Sequence, residues 1–297
     1  MKKAVTFLMF SALLGATAEA QVSRTFAGIN GNDANDCLQP ATACRTLNGA
    51  ITKVDAGGEV IVTETGSYAG ATITKSVKLN VPAGLVAFSA LSITVNAGAS
   101  DVVVIRGLTL KALTVGTGTG LNVLSAGAVF IENSVIDGWS TGVSVTSANT
   151  QIFVKDSTIR NNTTHGIDLN SPSAVAAIDG TRFEKQSGGS AAGLTVRNGA
   201  KAGVTRSFAA QNALGFIVTG GASELVVDQT EASNNTTAGY QAAAGATLRL
   251  LDSIAASNDK GVVNAANAAT VETFGNNVFE GNANGNTDGT VTGVTKQ

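Results

Sequence analysis

Apolar and polar side chains alternate along short stretches in the second half of the chain. In one stretch, Ile152 and Val154 alternate with Phe153 and Lys155, so that each pair would face one side of an extended strand. A period of two residues is typical of a β-strand, whereas a helix shows apolar positions every three or four residues. The pattern therefore predicts short β-strands separated by polar corners.

The same stretch returns at a nearly fixed interval. One polar position recurs seven times, at intervals of 23, 24, 26, 23, 23 and 24 residues. The residues at this position are Ser134, Ser157, Thr181, Ser207, Thr230, Ser253 and Asn277. Such a period is the sequence signature of a solenoid, in which each repeat forms one coil of a stack.

Other residues keep a constant distance from this polar position. Three residues before it the chain is apolar, at Ile131, Val154, Ile178, Val204, Val227, Leu250 and Phe274. Two residues after it the side chain is apolar or small, at Ile136, Ile159, Phe183, Ala209, Ala232, Ala255 and Phe279. Five residues after it the column is mainly Asn, with Trp139, Asn162, Gln186, Asn212, Asn235, Asn258 and Asn282. A glycine then follows, at Gly142, Gly166, Gly193, Gly215, Gly239, Gly261 and Gly285.

These columns define the fold class. A repeat of about 23 residues with two or three strands and no helix fits one coil of a parallel β-helix, whereas the Leu and Asn order of leucine-rich repeats is missing. We therefore predict an all-β parallel β-helix, a solenoid of about ten coils. Stacked Asn side chains can bond to backbone and to one another, so we interpret the Asn column as a structural ladder without a chemical role.

The first half of the chain predicts a helix followed by further strands. Leu47, Ala50, Ile51 and Val54 share one face of a helix over residues 45–54. We expect this short N-terminal helix to cap the stack, because a solenoid needs a polar-faced cover over its end. Strands are predicted at residues 60–63, 71–74, 77–81, 91–95 and 102–110.

Sequence motifs around the predicted helix carry a family resemblance. The chain reads Pro40-Ala41-Thr42-Ala43-Cys44-Arg45-Thr46-Leu47 before the helix, then Gly57-Gly58-Glu59-Val60-Ile61-Val62 and Ile73-Thr74-Lys75-Ser76-Val77 after it. Together with the repeat from Val154 to Ile167, these motifs resemble bacterial right-handed parallel β-helix proteins with the pectin-lyase-like fold. The resemblance implies a right-handed parallel β-helix over nearly all of the mature chain. It implies no single activity, because lyases, hydrolases, epimerases and adhesins share this fold.

The N-terminus has the layout of a signal peptide. Lys2 and Lys3 precede an apolar run, and the small-x-small sequence Ala18-Glu19-Ala20 closes it. We predict cleavage after Ala20 and a secreted or periplasmic protein. No later run approaches the length of a membrane span, so none is expected. The predicted organisation is a signal peptide at 1–20, an N-terminal strand, disulfide loop and capping helix at 21–58, the parallel β-helix at 59–285 and a C-terminal tail at 286–297.

Cysteine content and charge narrow the classes of partner. Cys37 and Cys44 lie close together in an exported chain, which predicts a local disulfide. A thiol or metal site is the alternative, but it would need further ligands and the only histidine is His165. Without the signal peptide the chain has 17 Lys and Arg and 20 Asp and Glu residues. This slightly acidic chain lacks the basic surface that nucleic acids require, and we expect a monomer without a nucleic-acid partner.

Two outward columns carry the candidate chemistry. One contains Asp137, Arg160 and Glu184, and the other contains Glu132, Lys155 and Asp179, so each would stack an acid, a base and an acid on the same three coils. Exposed charge ladders explain such columns, since opposite charges are favoured and like charges disfavoured between neighbouring strands. The alternative is a polysaccharide site, in which a cation neutralises a uronate carboxylate and a base removes its C5 proton.

The candidate site residues follow from that alternative. Arg160, His165 and Glu184 are the candidate catalytic residues, and His165 has a solvated loop position as its simpler interpretation. The candidate ligand-binding residues are Asp137, Trp139, Lys155, Asp168 and Asp179. Trp139 would either cover one end of the Asn ladder or stack on a sugar ring.

The sequence favours a non-catalytic role over an enzyme. We predict a secreted β-helix protein that binds glycans or surface ligands, or that forms part of an envelope or matrix. A polysaccharide lyase or epimerase using the charged patch at 132–184 is the alternative. No cofactor or metal is predicted. The nearest approach to a calcium site is Asp33, Asn35 and Asp36, which fit loop-stabilising turns more simply.

Overall fold

The protein is a parallel β-solenoid of ten coils. A computed structural model describes residues 21–295, so the predicted signal peptide at 1–20 lies outside the described residues. Each coil contributes one strand to each of three sheets, which we number in the order in which the chain meets them, and every described strand pair is parallel. Backbone groups therefore bond to the coils above and below. The prediction of an all-β solenoid of about ten coils is confirmed.

The strands are two to nine residues long. Sheet 1 contains Arg24–Ala27, Glu59–Val62, Val77–Asn80, Val102–Arg106, Ala128–Glu132, Gln151–Lys155, Val175–Asp179, Lys201–Thr205, Glu224–Asp228, Thr247–Leu251, Thr270–Phe274 and Thr292–Gly293. Sheet 2 contains Gly66–Tyr68, Ala87–Ser89, Leu108–Lys111, Val135–Asp137, Thr158–Arg160, Arg182–Glu184, Phe208–Ala210, Glu231–Ser233, Ile254–Ala256 and Val278–Glu280. Sheet 3 contains Ala71–Ile73, Ile93–Asn96, Thr117–Ser125, Trp139–Val145, His165–Asn170, Ala192–Arg197, Leu214–Thr219, Ala238–Ala243, Lys260–Asn264 and Thr287–Asp288.

Helical structure in the described chain is brief. One α-helix, α1, spans Leu47–Lys53, and 3-10 turns occupy Pro40–Thr42 and Ala265–Asn267. Thr46 caps α1 by accepting a hydrogen bond from the Gly49 N–H at 2.9 Å. No helix among residues 21–295 has the length and apolar character needed to cross a membrane.

The interior is filled by residues that lie one coil apart. The predicted column from Ile136 to Phe279 is in register throughout, with Phe183 followed by the small residues Ala209 and Ala232. The space beside these alanines is occupied by Phe216 and Tyr240, whose buried rings lie 5.6 Å apart. Large and small side chains therefore complement each other across the core.

Two buried polar ladders mark the corners of the coils. At the corner between sheets 2 and 3, each amide of the predicted Asn column accepts from the backbone N–H one coil earlier, as Asn235 does from Asn212 at 3.1 Å. At the corner between sheets 1 and 2, the hydroxyls of Ser157, Ser207, Thr230 and Ser253 do the same, as Thr230 does from the Ser207 N–H at 3.3 Å. The amide ladder was predicted, whereas the hydroxyl ladder was not.

The glycine column has a steric cause. A Cβ built on Gly166 would lie 2.4 Å from the Gly193 carbonyl oxygen, and one on Gly193 would lie 2.7 Å from that of Gly215. Backbones at this corner approach too closely for a side chain, so glycine recurs in successive coils from Gly142 to Gly261. The last member was predicted to be Gly285, but Gly261 lies against Asn286, because the final coil is shifted by one residue.

Two predictions about the strands need correction. The predicted strand at 102–110 is two strands in different sheets, because Gly107 turns the chain with a φ of +74°. Phe274 was predicted to continue the inward column of Leu250, but Leu250 pairs with Thr273 and Phe274 pairs with Leu251. The corner of that coil, at 275–277, is one residue longer than the two-residue corner at 252–253.

Candidate functional site

The outer side of sheet 1, here called the sheet 1 face, carries one of the two predicted charge columns. Glu132, Lys155 and Asp179 lie in register on neighbouring strands, as the sequence period predicted. The carboxylates of Glu132 and Asp179 nevertheless pair with cations other than Lys155. Glu132 pairs with Arg106 at 2.7 Å, and Asp179 accepts from the Thr205 hydroxyl at 2.9 Å and from Arg206. Within residues 21–295, Lys155 forms no ion pair and its side chain is exposed.

An aromatic stack lies next to Lys155 on the same face. The rings of Phe130 and Phe153 are 4.5 Å apart and inclined by only 9°. The next two residues in their column are Ala177 and Gly203, and beside them lies a cavity of about 360 Å³. Sequence analysis placed Phe153 outward but did not identify the stack, although the spacing of Phe130 and Phe153 is one repeat.

The outer side of sheet 2 carries the other predicted column. Asp137, Arg160 and Glu184 are in register. Arg160 Nε lies 3.1 Å from Asp137 Oδ2, and Asn161 donates to the other oxygen at 2.9 Å. Glu184 pairs with Arg182 instead of Arg160. The predicted triplet is therefore one ion pair with a neighbouring acid that has its own partner.

His165 and Asp168 lie on the outer side of sheet 3. The His165 Nδ1 atom is 3.0 Å from the Thr195 hydroxyl, and Asp168 accepts two hydrogen bonds from Arg197 at 2.9 and 2.6 Å. Burial lowers the pKa of His165, an effect that Asp168 opposes and Arg197 reinforces. The hydrogen bond to Asp168 raises the pKa of Arg197. Sequence analysis missed Thr195 and Arg197, which lie one coil beyond Asp168 and Asn170.

Trp139 belongs to the core. Its side chain is buried, with 4% of its surface exposed, and its indole N–H donates to the Leu110 carbonyl at 3.1 Å. The amides of the ladder donate to carbonyls in the same way, as Asn235 does to Ala209. Trp139 also begins the ladder, because its backbone N–H donates to the side-chain oxygen of Asn162 at 2.9 Å. This geometry matches the predicted end of the Asn ladder and does not fit stacking on a sugar.

The predicted catalytic residues do not share one face. Arg160 and Glu184 project from sheet 2, whereas His165 projects from sheet 3. Lys155 and Asp179 project from sheet 1. A catalytic site requires its acid, base and charge-stabilising groups to converge on the same reacting atoms. The arrangement presents three separate surfaces in place of one cluster.

A second groove follows the corner between sheets 1 and 2. Its volume is about 720 Å³, and its lining includes Arg182, Arg206 and Phe208. The Arg182 guanidinium lies 4.8 Å from the centre of the Phe208 ring. Both arginines are engaged in ion pairs, with Glu184 and Asp179 respectively.

The N-terminal loop uses its polar side chains to hold the chain. Asp36 accepts from the Thr42 hydroxyl at 2.6 Å and from the Leu38 N–H at 3.1 Å, and these bonds lower its pKa. Asp33 accepts from the Arg45 and Thr46 N–H groups ahead of α1. Across residues 21–295, no group of three or more His, Cys, Asp or Glu side chains is arranged to hold a metal ion.

The two cysteines form the predicted disulfide. Cys37 and Cys44 are bonded to each other, with their Cα atoms 5.1 Å apart. Both are fully buried and join the main core cluster. The bond closes the polar loop between the first strand and α1.

Comparison with known proteins identifies the family. The model of the right-handed β-helix region matches residues 141–294, just over half of the chain. The protein therefore belongs to the right-handed β-helix family, and its solenoid is of the pectin-lyase-like type. No curated protein matches the chain in a sequence search.

Solved structures share the fold at low sequence identity. The pectate lyase Pel9A is 14% identical with a TM-score of 0.54, and the match covers 88% of this chain and 71% of the lyase. A rhamnogalacturonan lyase is 12% identical with a TM-score of 0.55, covering 87% of this chain and 73% of the other. A GH136 lacto-N-biosidase from Eubacterium ramulus is 10% identical with a TM-score of 0.53, and the match covers 92% of this chain and 67% of the biosidase. The fold is thus related to those of polysaccharide lyases and glycoside hydrolases.

Proposed function

We propose that this protein is an exported, non-catalytic β-helix protein that binds an acidic polysaccharide along the sheet 1 face. The observation that carries the proposal is the half-buried Phe130–Phe153 stack on the outer side of sheet 1, next to Lys155, a cation without an ion-pair partner among residues 21–295. Apolar ring surfaces stack against sugar faces, and a Lys ammonium attracts the carboxylate of a uronate.

Short corners favour binding over catalysis. Between Val102 and Glu280, the longest connection between consecutive strands is the segment 185–191. Connections of this length leave the sheet faces open and do not build walls around a substrate. Enzymes gain much of their rate from enclosing and positioning the reacting groups. An open, flat face suits an extended polymer that is held and not cleaved.

Export and the arrangement of the chain are part of the proposal. The Cys37–Cys44 disulfide supports an oxidising compartment outside the cytoplasm.

We propose that residues 21–58 cover the first coil, with α1 as the cap, because Leu47, Ala50 and Ile51 bury their side chains against the strands at its end. The β-helix would then extend over 59–285, and the terminal segment 286–297 adds the short strands Thr287–Asp288 and Thr292–Gly293 to its end.

Polymer binding tests the proposal directly. We expect the mature protein to bind polygalacturonate or alginate more tightly than an uncharged polysaccharide, with affinity that falls as salt rises. Lys155→Gln should weaken binding about fivefold, and Phe153→Ala by a similar factor. Isothermal titration calorimetry on oligosaccharides of defined length would measure both.

Two matched controls separate this face from the rest of the surface. Lys201→Gln removes another exposed lysine from sheet 1, one that is already paired with Glu224 at 3.0 Å. Phe208→Ala removes a partly buried phenylalanine from sheet 2. Neither should change polymer affinity. Release of unsaturated uronate from any of these polymers, abolished by Arg160→Ala, would overturn the non-catalytic assignment and favour a lyase.

A further inference from the structure

The aromatic stack on the sheet 1 face ends abruptly. In the outward column, Phe130 and Phe153 are followed by Ala177, Gly203 and then Val226. Coils repeat about every 4.8 Å, so the two small residues leave a gap of roughly 10 Å along the stack before the next branched side chain. The cavity of about 360 Å³ lies at this gap.

The orientation of the rings makes the gap a slot for another ring. Phe130 and Phe153 belong to neighbouring coils and stack nearly parallel, so one face of Phe153 is covered by Phe130. The opposite face of Phe153 points along the column towards Ala177 and Gly203. A planar ring that enters the gap parallel to Phe153 would extend the stack by one member. Such aromatic pairs gain about 0.5–1.5 kcal/mol beyond the burial of their area.

The polar groups of the slot lie along one edge. Its floor is apolar, whereas Glu132, Lys155, Asp179 and Thr205 form one rim. Glu132 is paired with Arg106, and Asp179 accepts hydrogen bonds from Thr205 and Arg206. The charge at this edge that has no partner of opposite sign within the described chain is the Lys155 ammonium. A ligand with an anionic group on one edge of its ring complements this distribution.

We propose that the slot beside Phe153 binds a planar aromatic carboxylate, with its ring against Phe153 and its carboxylate at Lys155. A sugar ring that entered the slot would leave the hydroxyl groups of its inner edge without partners against the apolar floor at Ala177 and Gly203, whereas a polymer along the outside of the face keeps its hydroxyl groups in water. A flat ring with one charged end places its polar atoms only where the rim is polar. This site shares Lys155 and Phe153 with the polysaccharide face but does not depend on polymer binding.

Small probes test the slot. We expect benzoate and trans-cinnamate to bind with dissociation constants on the order of 1 mM, as fits ligands of this size. Cyclohexanecarboxylate has the same charge without a flat aromatic face, and benzyl alcohol has the ring without the charge. Both should bind at least about fivefold more weakly than benzoate. Saturation-transfer NMR and chemical-shift titration would measure these affinities.

Ala177→Val is the decisive variant. Ala177 is exposed and follows Phe153 directly in the column, so the added methyl groups occupy the position of the ligand ring, as Val226 fills the column further along, and the strand is kept. We expect it to reduce benzoate affinity at least about tenfold while the melting temperature is unchanged or raised. Lys155→Gln should remove the preference for benzoate over benzyl alcohol, and Lys201→Gln should not.

The outcomes separate this proposal from the polysaccharide proposal. Benzoate affinity that survives Ala177→Val, or equal affinity for benzoate and cyclohexanecarboxylate, would overturn the aromatic slot. The same holds if benzoate does not bind the wild-type protein at all. Benzoate binding without any binding of acidic polymers would leave the slot in place and overturn only the proposed function.

Discussion

Two polar columns run along the same coils, and they differ in how closely the structure follows the sequence. The amide column at the corner between sheets 2 and 3 repeats one bonding pattern: each side-chain oxygen accepts from the backbone N–H one coil earlier, from Trp139 to Asn258. The charged column of Asp137, Arg160 and Glu184 has equal register but only one ion pair between its members.

The difference lies in access to water. The described amides from Asn162 to Asn258 are buried, so each must satisfy its polar atoms within the stack, and the neighbouring coil offers the same partners every time. The Arg160 side chain is 45% exposed, and water competes for its guanidinium. A repeating sequence therefore fixes both positions, but burial is what fixes the partners.

The largest expected effect comes from breaking the buried column. Asn235→Ala removes an oxygen that accepts from both the backbone and side chain of Asn212, and a donor to Ala209. Because these groups are buried, we expect the free energy of unfolding to fall by about 3 kcal/mol. Urea titration followed by circular dichroism would measure it. Thr236→Ala, an exposed neighbour, is the control and should change little. A loss below about 1 kcal/mol would show that water replaces Asn235 as the hydrogen-bond partner of Asn212 and Ala209.

The hydroxyl ladder should show an intermediate effect. Thr230→Val keeps the side-chain shape but removes the acceptor for the Ser207 N–H and the donor to the Asp228 carbonyl. We expect a loss of about 1–2 kcal/mol in the free energy of unfolding. Thr230→Ser retains the hydroxyl and should lose less. Equal losses for the two variants would show that the hydroxyl group contributes no more to stability than the methyl group.

The charged column should tolerate loss of Arg160, whose side chain is 45% exposed above the buried Asp137. Arg160→Ala leaves Asp137 with its hydrogen bond from Asn161, so we expect a cost of no more than about 1 kcal/mol, decreasing with added salt. The same urea titration at low and high salt would measure it. A cost comparable to that of Asn235→Ala would contradict the distinction drawn between the two columns.

The smallest expected effect is a dependence of stability on pH through His165. Its pKa lies below 6.5 in the folded protein because burial disfavours the charged ring. The unfolded chain therefore binds more protons than the folded chain as the pH falls through about 6.5, and stability decreases in that direction. Melting temperatures measured on either side of this pH should differ more for the wild type than for His165→Gln. Identical profiles would show that His165 titrates alike in both states.

The sequence period predicted the stacked columns of the solenoid well. The Asn column, the inward Ile and Ala column and the recurring glycine are all one-per-coil features, so their spacing alone places them one above another. It failed where a corner changed length, as at 275–277, because one extra residue moves the preceding strand out of register. The hydroxyl ladder was visible as a Ser and Thr column, but its bonding was not inferred.

The partners of the surface side chains were less predictable than the stacked columns. Glu184 was assigned to Arg160, yet Arg182, two residues away on the same strand, binds it. His165 and Arg160 are five residues apart but belong to different sheets, because the chain turns at 161–164. The aromatic slot depends on the absence of side chains at Ala177 and Gly203, and small residues in an exposed column give no signal until the stack next to them is known.

The uniform bonding of the amide ladder makes each coil an exchangeable unit. Residues 212–234 form one such unit. If they were removed, Asn235 would take the place of Asn212 and could accept the Gln186 N–H in the same way. Duplication or loss of whole units would lengthen or shorten the rod in steps of about 4.8 Å without exposing new core. The reach of the protein can therefore be tuned by evolution as a whole number of repeats, independently of what its surface binds.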